Sequence, residues 1–215
     1  MARTMPLYPI SLNLQNRLCL VVGGGKVAER KIKSLLNAGA NVRLLSPDAT
    51  PHLQALAADG FLDWRQAAYT PDGTGTLDGV FLTIACTDNR TVNAEVVREA
   101  SAKQLLILCA DDPDAGNFRS AAQVTRGELV LTVSTGGGSP TLAAVLRERL
   151  EEEFGPEWAQ LVELIGKQRE IVKTNPSESG RKEAVRRVLN DPEVRQLLRD
   201  GHFIEAETRI QACLS

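Results

Sequence analysis

The sequence is poor in the residue types that build metal centres and disulfide scaffolds. Among its 215 residues four are cysteine and two are histidine, and aromatic residues make up 4%. The cysteines lack C-x-x-C spacing, and Cys19, Cys86 and Cys109 lie in or beside apolar runs, which predicts reduced, structural thiols. His52 and His202 have no partner at metal-ligand spacing, so we expect no permanent metal site.

Charge and hydropathy exclude further classes of protein. The net charge is −2, and no stretch carries the basic face that would bind nucleic acid. No apolar segment approaches the ~20 residues that cross a bilayer. The first ten residues also lack a charged region followed by an apolar signal core. We therefore expect a cytoplasmic protein that binds neither nucleic acid nor membrane.

A glycine-rich turn near the start of the chain is the strongest local signal. The apolar run 18–22 breaks into three glycines and resumes as an amphipathic helical pattern, and Gly23, Gly25 and Ala28 match G-x-G-x-x-[G/A]. Such a turn lets the backbone approach a pyrophosphate at a helix N-terminus. A tight turn without any nucleotide is the less favoured alternative. The predicted dinucleotide site comprises Gly23, Gly24, Gly25, Lys26 and Val27.

Strand and helix patterns alternate as far as residue 110. Gly39 ends the first helical pattern, and the alternation continues without an internal repeat. This order predicts an α/β fold built on a Rossmann-type, doubly wound parallel sheet. The expected strands are 18–22, 41–46, 62–67, 80–85 and 105–110, and the expected helices are 27–38, 51–59 and 92–103.

The pattern changes after residue 117. Two strand-like runs, 118–124 and 129–134, surround a turn and predict a hairpin, and Ser139-Pro140 opens a helix that extends to 153. Everything beyond is helical, in three or four helices. We therefore predict three parts: a Rossmann domain over 1–117, a hairpin-and-helix segment over 118–153 and a helical C-terminal domain over 154–215.

Two polar clusters are candidates for chemistry. Asp111, Asp112 and Asp114 follow the last parallel strand, where a carboxylate reaches a substrate; solvated turn formers are an equally favoured explanation. The second cluster, 134–138, offers hydroxyls and backbone N–H groups to an anion ahead of a helix. An ordinary flexible connection explains that cluster equally well.

Four ordered blocks make the chain resemble the precorrin-2 dehydrogenase family, which includes the N-terminal part of sirohaem synthases. The blocks are V-G-G-G-x-V-A-x-R-K at 22–31, Cys86-Thr87-Asp88, Asp111-x-Pro113 with Phe118, and the segment from Arg126-Gly127 to Ser139-Pro140. The chain departs from the family where Cys86 replaces an alanine and Leu108 replaces an asparagine.

The resemblance implies a function and a set of site residues. It implies NAD-dependent oxidation of precorrin-2 to sirohydrochlorin in sirohaem biosynthesis, with Asp111 as the catalytic carboxylate, acting as general base. It also implies a homodimer paired through 118–153 and a helical domain that covers the active site. Further cofactor contacts are expected from Ser46, Pro47, Asp48 and Thr87. Tentative contacts to the tetrapyrrole substrate are Arg119, Ser134, Thr135 and Gly136.

Further expectations concern the choice of cofactor, alternative functions and the source of the substrate. The acid that holds the ribose hydroxyls in many Rossmann sites comes two residues late here, at Asp48, yet we expect NAD rather than NADP. Some relatives also insert iron or cobalt into sirohydrochlorin, so a bifunctional enzyme is one alternative. An NAD-sensing regulatory module is a more remote one. Because a fused methyltransferase domain is absent, we expect a separate methyltransferase to supply precorrin-2.

Overall fold

The computed structural model describes residues 7–71, 75–168 and 177–214, which form two compact units divided after Ser120. The first unit contains strands β1 (Leu18–Val22), β2 (Asn41–Leu45), β3 (Asp63–Arg65), β4 (Leu82–Ala85) and β5 (Leu106–Cys109) and helices α1 (Lys26–Asn37), α2 (Pro51–Ala58) and α3 (Arg90–Ala102). The second contains β6 (Ala122–Arg126), β7 (Leu129–Val133), α4 (Pro140–Glu153), α5 (Glu157–Lys167), α6 (Glu178–Asn190), α7 (Pro192–Arg199) and α8 (Phe203–Leu214).

The first unit is the predicted Rossmann-type fold. Its five strands are all parallel and lie in the order β3-β2-β1-β4-β5. The chain therefore leaves β1 in one direction for β2 and β3, and returns to the other side of β1 for β4 and β5. Ligands of such sheets bind where this order reverses, outside the carboxyl ends of the strands. Here the reversal lies between β1 and β4.

Both faces of the sheet are covered at its central strands, which explains why β1, β4 and β5 are almost entirely apolar. Side chains alternate between two cores: Val21 points to the core shared with α1 and α2, and Leu20 and Val22 point to the core shared with α3. The N-terminus of α3 has a side-chain cap. The Asn89 side chain caps α3 by accepting from the N–H groups of Thr91 and Val92.

The second unit has a core of its own. β6 and β7 form an antiparallel hairpin in which Arg126 pairs with Leu129 across a turn that contains Gly127, at φ +57°. The Arg126 guanidinium ties the hairpin to the end of α4, since its Nε donates to the Phe154 carbonyl at 2.8 Å. Helices α5 to α8 pack around a separate apolar cluster that includes Leu161. No helix among the described residues is long and apolar enough to span a membrane.

The first strand of the hairpin differs from its prediction. The expected strand 118–124 begins only at Ala122, because Phe118 packs against the core of the first unit and Arg119 forms an ion pair there with Asp114. The connection between the units therefore includes residues that look strand-like in sequence. The three-part division at 117 and 153 stays a prediction.

Burial makes three of the four thiols unreactive. Cys19, Cys86 and Cys109 are buried, and Cys213 is half-buried. Burial raises the pKa of Cys19 to about 11 and that of Cys86 to about 12. Because the thiolate is the reactive form, we expect a disulfide reagent at about pH 8 to modify Cys213 first. Cys19 and Cys86 should react only after unfolding.

Counting modified thiols by mass spectrometry before and after adding denaturant tests this expectation. A Cys213→Ser variant is the control and should leave the native protein nearly unreactive. Rapid modification of Cys86 in the native state would contradict the packing around β4.

Candidate functional site

The turn after β1 touches the turn after β4. Gly23 has φ +110°, and a Cβ atom built there would lie 2.7 Å from the Cys86 carbonyl oxygen and 2.9 Å from the Thr87 backbone nitrogen. Any other residue would force these two turns apart, so the position requires glycine. The predicted cofactor residues Gly23 and Thr87 are therefore in contact at the reversal of strand order.

The same turn also touches the end of β2. A Cβ atom on Gly24 would lie 2.0 Å from the Asp48 carbonyl oxygen and 2.9 Å from the Ser46 Oγ. Ser46 is buried, and its hydroxyl donates to that same Asp48 carbonyl at 2.6 Å. The segment 46–48 is thus a tight turn packed on the glycine loop. Pro47 and the Asp48 residue are exposed beside it.

Gly25 has the opposite environment, because no atom lies within 4 Å of a Cβ built on it. It is the N-cap residue of α1, and no side chain caps this helix. The first N–H groups of α1, including those of Lys26 and Val27, have no side-chain partner at the cap, and both residues are exposed. An open space in front of uncapped, positively polarised N–H groups fits a pyrophosphate.

Asp111 lies just beyond β5, and two side chains hydrogen bond to the same carboxylate oxygen. Cys109 Sγ donates to its Oδ1 at 3.0 Å, and Asn93 Nδ2 donates to that oxygen at 2.8 Å. Arg90 Nε lies 3.9 Å from the other oxygen, Oδ2. The Asp111 side chain is 27% exposed, so solvent or a ligand reaches it.

These contacts keep the carboxylate of Asp111 ionised. The hydrogen bonds from Cys109 and Asn93 and the charge of Arg90 hold the pKa of Asp111 below its ordinary value, although partial burial opposes them. The pKa of the Cys109 thiol is raised, first by burial and then by the neighbouring Asp111 carboxylate. The site therefore presents a negative charge next to a neutral thiol at neutral pH.

Sequence inspection overlooked three of these residues: Arg90, Asn93 and Cys109. Asn93 carried a detectable signal, because it shares the buried stripe of α3 with Val96 and Ala100. A polar residue in an apolar stripe must find hydrogen-bond partners. Cys109 had no such signal, since it reads as one more apolar residue of β5.

The replacement of the family asparagine by Leu108 leaves Asp111 intact. Leu108 is buried in the core on the α1 side, whereas Cys109, the next residue of β5, belongs to the core on the α3 side. Asp111 hydrogen bonds to Asn93 of α3. Leucine at 108 therefore adds apolar packing on the face of the sheet opposite to the one that carries α3 and Asn93.

The tentative substrate residues are divided between the two units. Arg119, in the first unit, forms an ion pair with Asp114. Ser134, Thr135 and Gly136 belong to the second unit, in the loop before α4. The Thr135 hydroxyl accepts from the Ser139 N–H at 3.2 Å, and the Gly136 N–H donates to Ser134 Oγ at 3.3 Å. These groups already stabilise the loop, and their substrate contacts stay predictions.

Two family models match consecutive parts of the chain. Residues 10–122, more than half of the chain, match the model described as putative NAD(P)-binding. Residues 126–153 match the model of the central part of sirohaem biosynthesis proteins. The chain belongs to this NAD(P)-binding family, in the group that includes sirohaem synthases.

Individual relatives agree with this assignment. The chain is 36% identical over 210 residues to a sirohaem synthase of Xylella fastidiosa, a match covering 97% of the chain and 44% of the relative. It is 37% identical to sirohaem synthase 2 of Klebsiella pneumoniae over 96% of the chain and 45% of the relative. The chain thus spans less than half the length of these relatives. The solved structure of SirC, precorrin-2 dehydrogenase, matches with a TM-score of 0.71 and 28% identity, over 94% of this chain and 100% of that one.

The open space at Gly25 generates a test of cofactor binding. A Gly25→Asp variant should keep its fold, because φ is −83° and nothing lies near the added side chain. Its carboxylate would repel a pyrophosphate, and about 1.4 kcal/mol of repulsion lowers affinity about 10-fold. We expect calorimetric titration with NAD to show at least that loss.

Two alanine variants provide the controls. Gly25→Ala adds no charge and should bind NAD far better than Gly25→Asp does. Gly24→Ala should instead lower the melting temperature, because its methyl group collides with Asp48. Wild-type NAD affinity in Gly25→Asp would show that this turn does not hold the cofactor.

Proposed function

We propose that the chain is an NAD-dependent dehydrogenase that oxidises precorrin-2 to sirohydrochlorin, with Asp111 as the catalytic carboxylate. The observation that carries the proposal is an ionised, accessible carboxylate at the carboxyl end of β5, linked through Asn93 and Thr87 to the glycine loop. The name of SirC, a structural relative, supplies the substrate. A carboxylate beside a dinucleotide site suits proton removal during hydride transfer.

The reaction removes a hydride and a proton from the tetrapyrrole, and Asp111 acts on the second of these. When bound, the nicotinamide supplies the hydride acceptor. The Asp111 carboxylate is ionised at neutral pH, a form that its lowered pKa favours further. It can therefore accept the departing proton and, being partly exposed, pass it to solvent. Its negative charge also stabilises the positive charge that loss of hydride leaves on the macrocycle.

We propose NAD rather than NADP as the oxidant. Asp48 follows the end of β2, where Rossmann proteins hold the adenosine ribose. Its exposed carboxylate can accept from ribose hydroxyls and would repel a 2′-phosphate. Steady-state rates with NAD and NADP, measured side by side on the same preparation, test this preference.

The catalytic role of Asp111 has a direct test. Changing Asp111 to Ala removes the proton acceptor while leaving the glycine loop untouched. We expect dehydrogenase turnover to fall by about 10²- to 10⁴-fold. NAD affinity should stay near its wild-type value. The measurement is the absorbance of sirohydrochlorin formed from enzymatically made precorrin-2 and NAD.

The neighbouring aspartates are matched controls. Asp112 is exposed, and Asp114 pairs with Arg119 rather than joining the Asn93 network. Asp112→Ala and Asp114→Ala should therefore retain most of the activity. If Asp112→Ala were inactive and Asp111→Ala active, the catalytic role would belong to Asp112.

Metal insertion is the second candidate activity. The same accessible, ionised Asp111 can accept the pyrrole protons that iron or cobalt displaces from sirohydrochlorin. Adding either metal to preformed sirohydrochlorin without NAD measures this step alone. Among the described residues, no group of three or more His, Cys, Asp and Glu side chains could hold a metal ion. In this proposal the metal is a substrate, and the absence of a permanent metal stays a prediction.

We also propose that the chain forms a homodimer through its hairpin. In the described chain β6 and β7 pair only with each other, so both outer edges are unpaired. Val130 is 52% exposed on one face of the hairpin, opposite Thr125. An exposed apolar side chain next to two unpaired strand edges favours pairing with a second copy.

Sedimentation velocity tests the dimer at micromolar concentration. The wild type should sediment as a dimer without substrate, and Val130→Asp should shift it towards monomer, because the change charges the exposed face without touching the core. Ile204→Asp, at a residue of α8 that is 80% exposed, is the control and should leave the dimer intact. A monomeric wild type would contradict the proposal.

A further inference from the structure

Asn93 is a buried polar residue at the centre of the site. It is 1% exposed and lies in the first turn of α3. Its Oδ1 accepts from the Thr87 N–H at 3.0 Å and from the Thr87 hydroxyl at 2.8 Å. Its Nδ2 donates to the Thr87 carbonyl at 3.0 Å and to Asp111 Oδ1 at 2.8 Å. One side chain thus joins the turn after β4 to the carboxylate after β5.

The amide can be oriented in only one way. The Thr87 N–H is a donor and needs the amide oxygen, whereas the Thr87 carbonyl and the Asp111 carboxylate are acceptors and need the amide nitrogen. A reversed amide would leave all three groups facing a partner of the same kind. The network therefore determines which atom of Asn93 faces Asp111.

Asn93 differs from the other groups that face Asp111. From β5, the Cys109 thiol is a weak donor only two residues away along the chain. From α3, the Arg90 side chain is 89% exposed and 3.9 Å from Oδ2, so solvent screens its charge. Among the residues that the structure describes, Asn93 is the one whose buried side-chain amide donates to Asp111. It also ties the carboxylate to a second element of the site.

We propose that Asn93 is the positioning residue of the dehydrogenase, holding the Asp111 carboxylate in register with the turn that carries Thr87. The inference rests on the proposed function, because it assigns a partner to the proposed catalytic carboxylate. Through this link, the base on β5 and the cofactor-side turn on β4 keep one relative placement. A misplacement of about 1 Å at such a site costs about 100-fold in rate.

An Asn93→Asp variant replaces the amide donor that faces Asp111 by a carboxylate oxygen. It keeps the acceptor for the Thr87 N–H but places a second carboxylate against Asp111. Two adjacent carboxylates share a proton, which raises the pKa of the pair. We expect kcat near neutral pH to fall about 10- to 100-fold, and an acid limb to appear between about pH 5 and 7. Wild-type kcat should show no titration of Asp111 in that range.

Asn93→Ala is the second variant and adds no charge. It leaves the Thr87 N–H without its acceptor, at a cost of about 1–3 kcal/mol, which a domain stable by about 5–15 kcal/mol survives. Val96→Ala, one turn along the same buried stripe, is the control for helix packing. It should lower the melting temperature without changing the pH dependence.

The decisive readout does not depend on turnover. Carbon-13 NMR of the Asp111 carboxyl, assigned by its loss in Asp111→Asn, follows the titration of that group in the free protein. We expect the titration to move to higher pH in both Asn93 variants and to stay unchanged in Val96→Ala. If Asn93→Asp does not fold, Asn93→Ala decides the question.

The outcomes separate this inference from the proposed function. A wild type that does not oxidise precorrin-2 would overturn the function, and the NMR titrations would still report on the link between Asn93 and Asp111. Titrations in both Asn93 variants that superimpose on the wild type, with losses of activity matched by Val96→Ala, would overturn the inference. Asn93 would then be only a packing residue of α3.

Discussion

The close backbone contact of the glycine turn with its two neighbours is the constraint on which the rest of the site depends. Gly23 lies against Cys86 and Thr87, and Gly24 lies against Asp48. Neither contact leaves room for a Cβ atom, so only glycine at both positions lets the backbone segments lie this close together. The ends of β1, β2 and β4 consequently form one continuous edge. Gly25, where a Cβ atom would meet open space, is the residue of the turn that the proposed cofactor would face.

A polar network continues that edge to β5. Burying an amide such as Asn93 costs free energy unless every polar atom finds a partner. Here the partners are Thr87 and Asp111, which are the groups that the proposed chemistry needs in a defined place. The same hydrogen bonds favour the ionised form of the carboxylate. Packing, positioning and charge at this site therefore share one set of contacts.

The two units contain different structural features. The first unit contains the glycine turn and Asp111, and its central strands β1, β4 and β5 are buried on both faces. The second has its own core and stabilises its hairpin through Arg126, while Val130 remains exposed. Exposed apolar surface beside unpaired strand edges is costly in an isolated chain. In the proposed dimer, the hairpin rather than the Rossmann unit therefore supplies the contact between the two copies.

The sequence by itself determined the Rossmann unit, its glycine turn and the position of Asp111 at a strand end. Continuous apolar strands, helical periodicity and glycine spacing are local patterns, and the parallel order follows from their alternation. Only the tertiary structure decided which side chains meet Asp111. Asn93 reaches it from another element, and contacts between distant segments leave no period in a single sequence. Cys109 lies two residues from Asp111, but in the sequence it looks like one more apolar residue of β5. The delayed start of β6 has the same cause, because Phe118 packs into the first core instead of pairing as a strand.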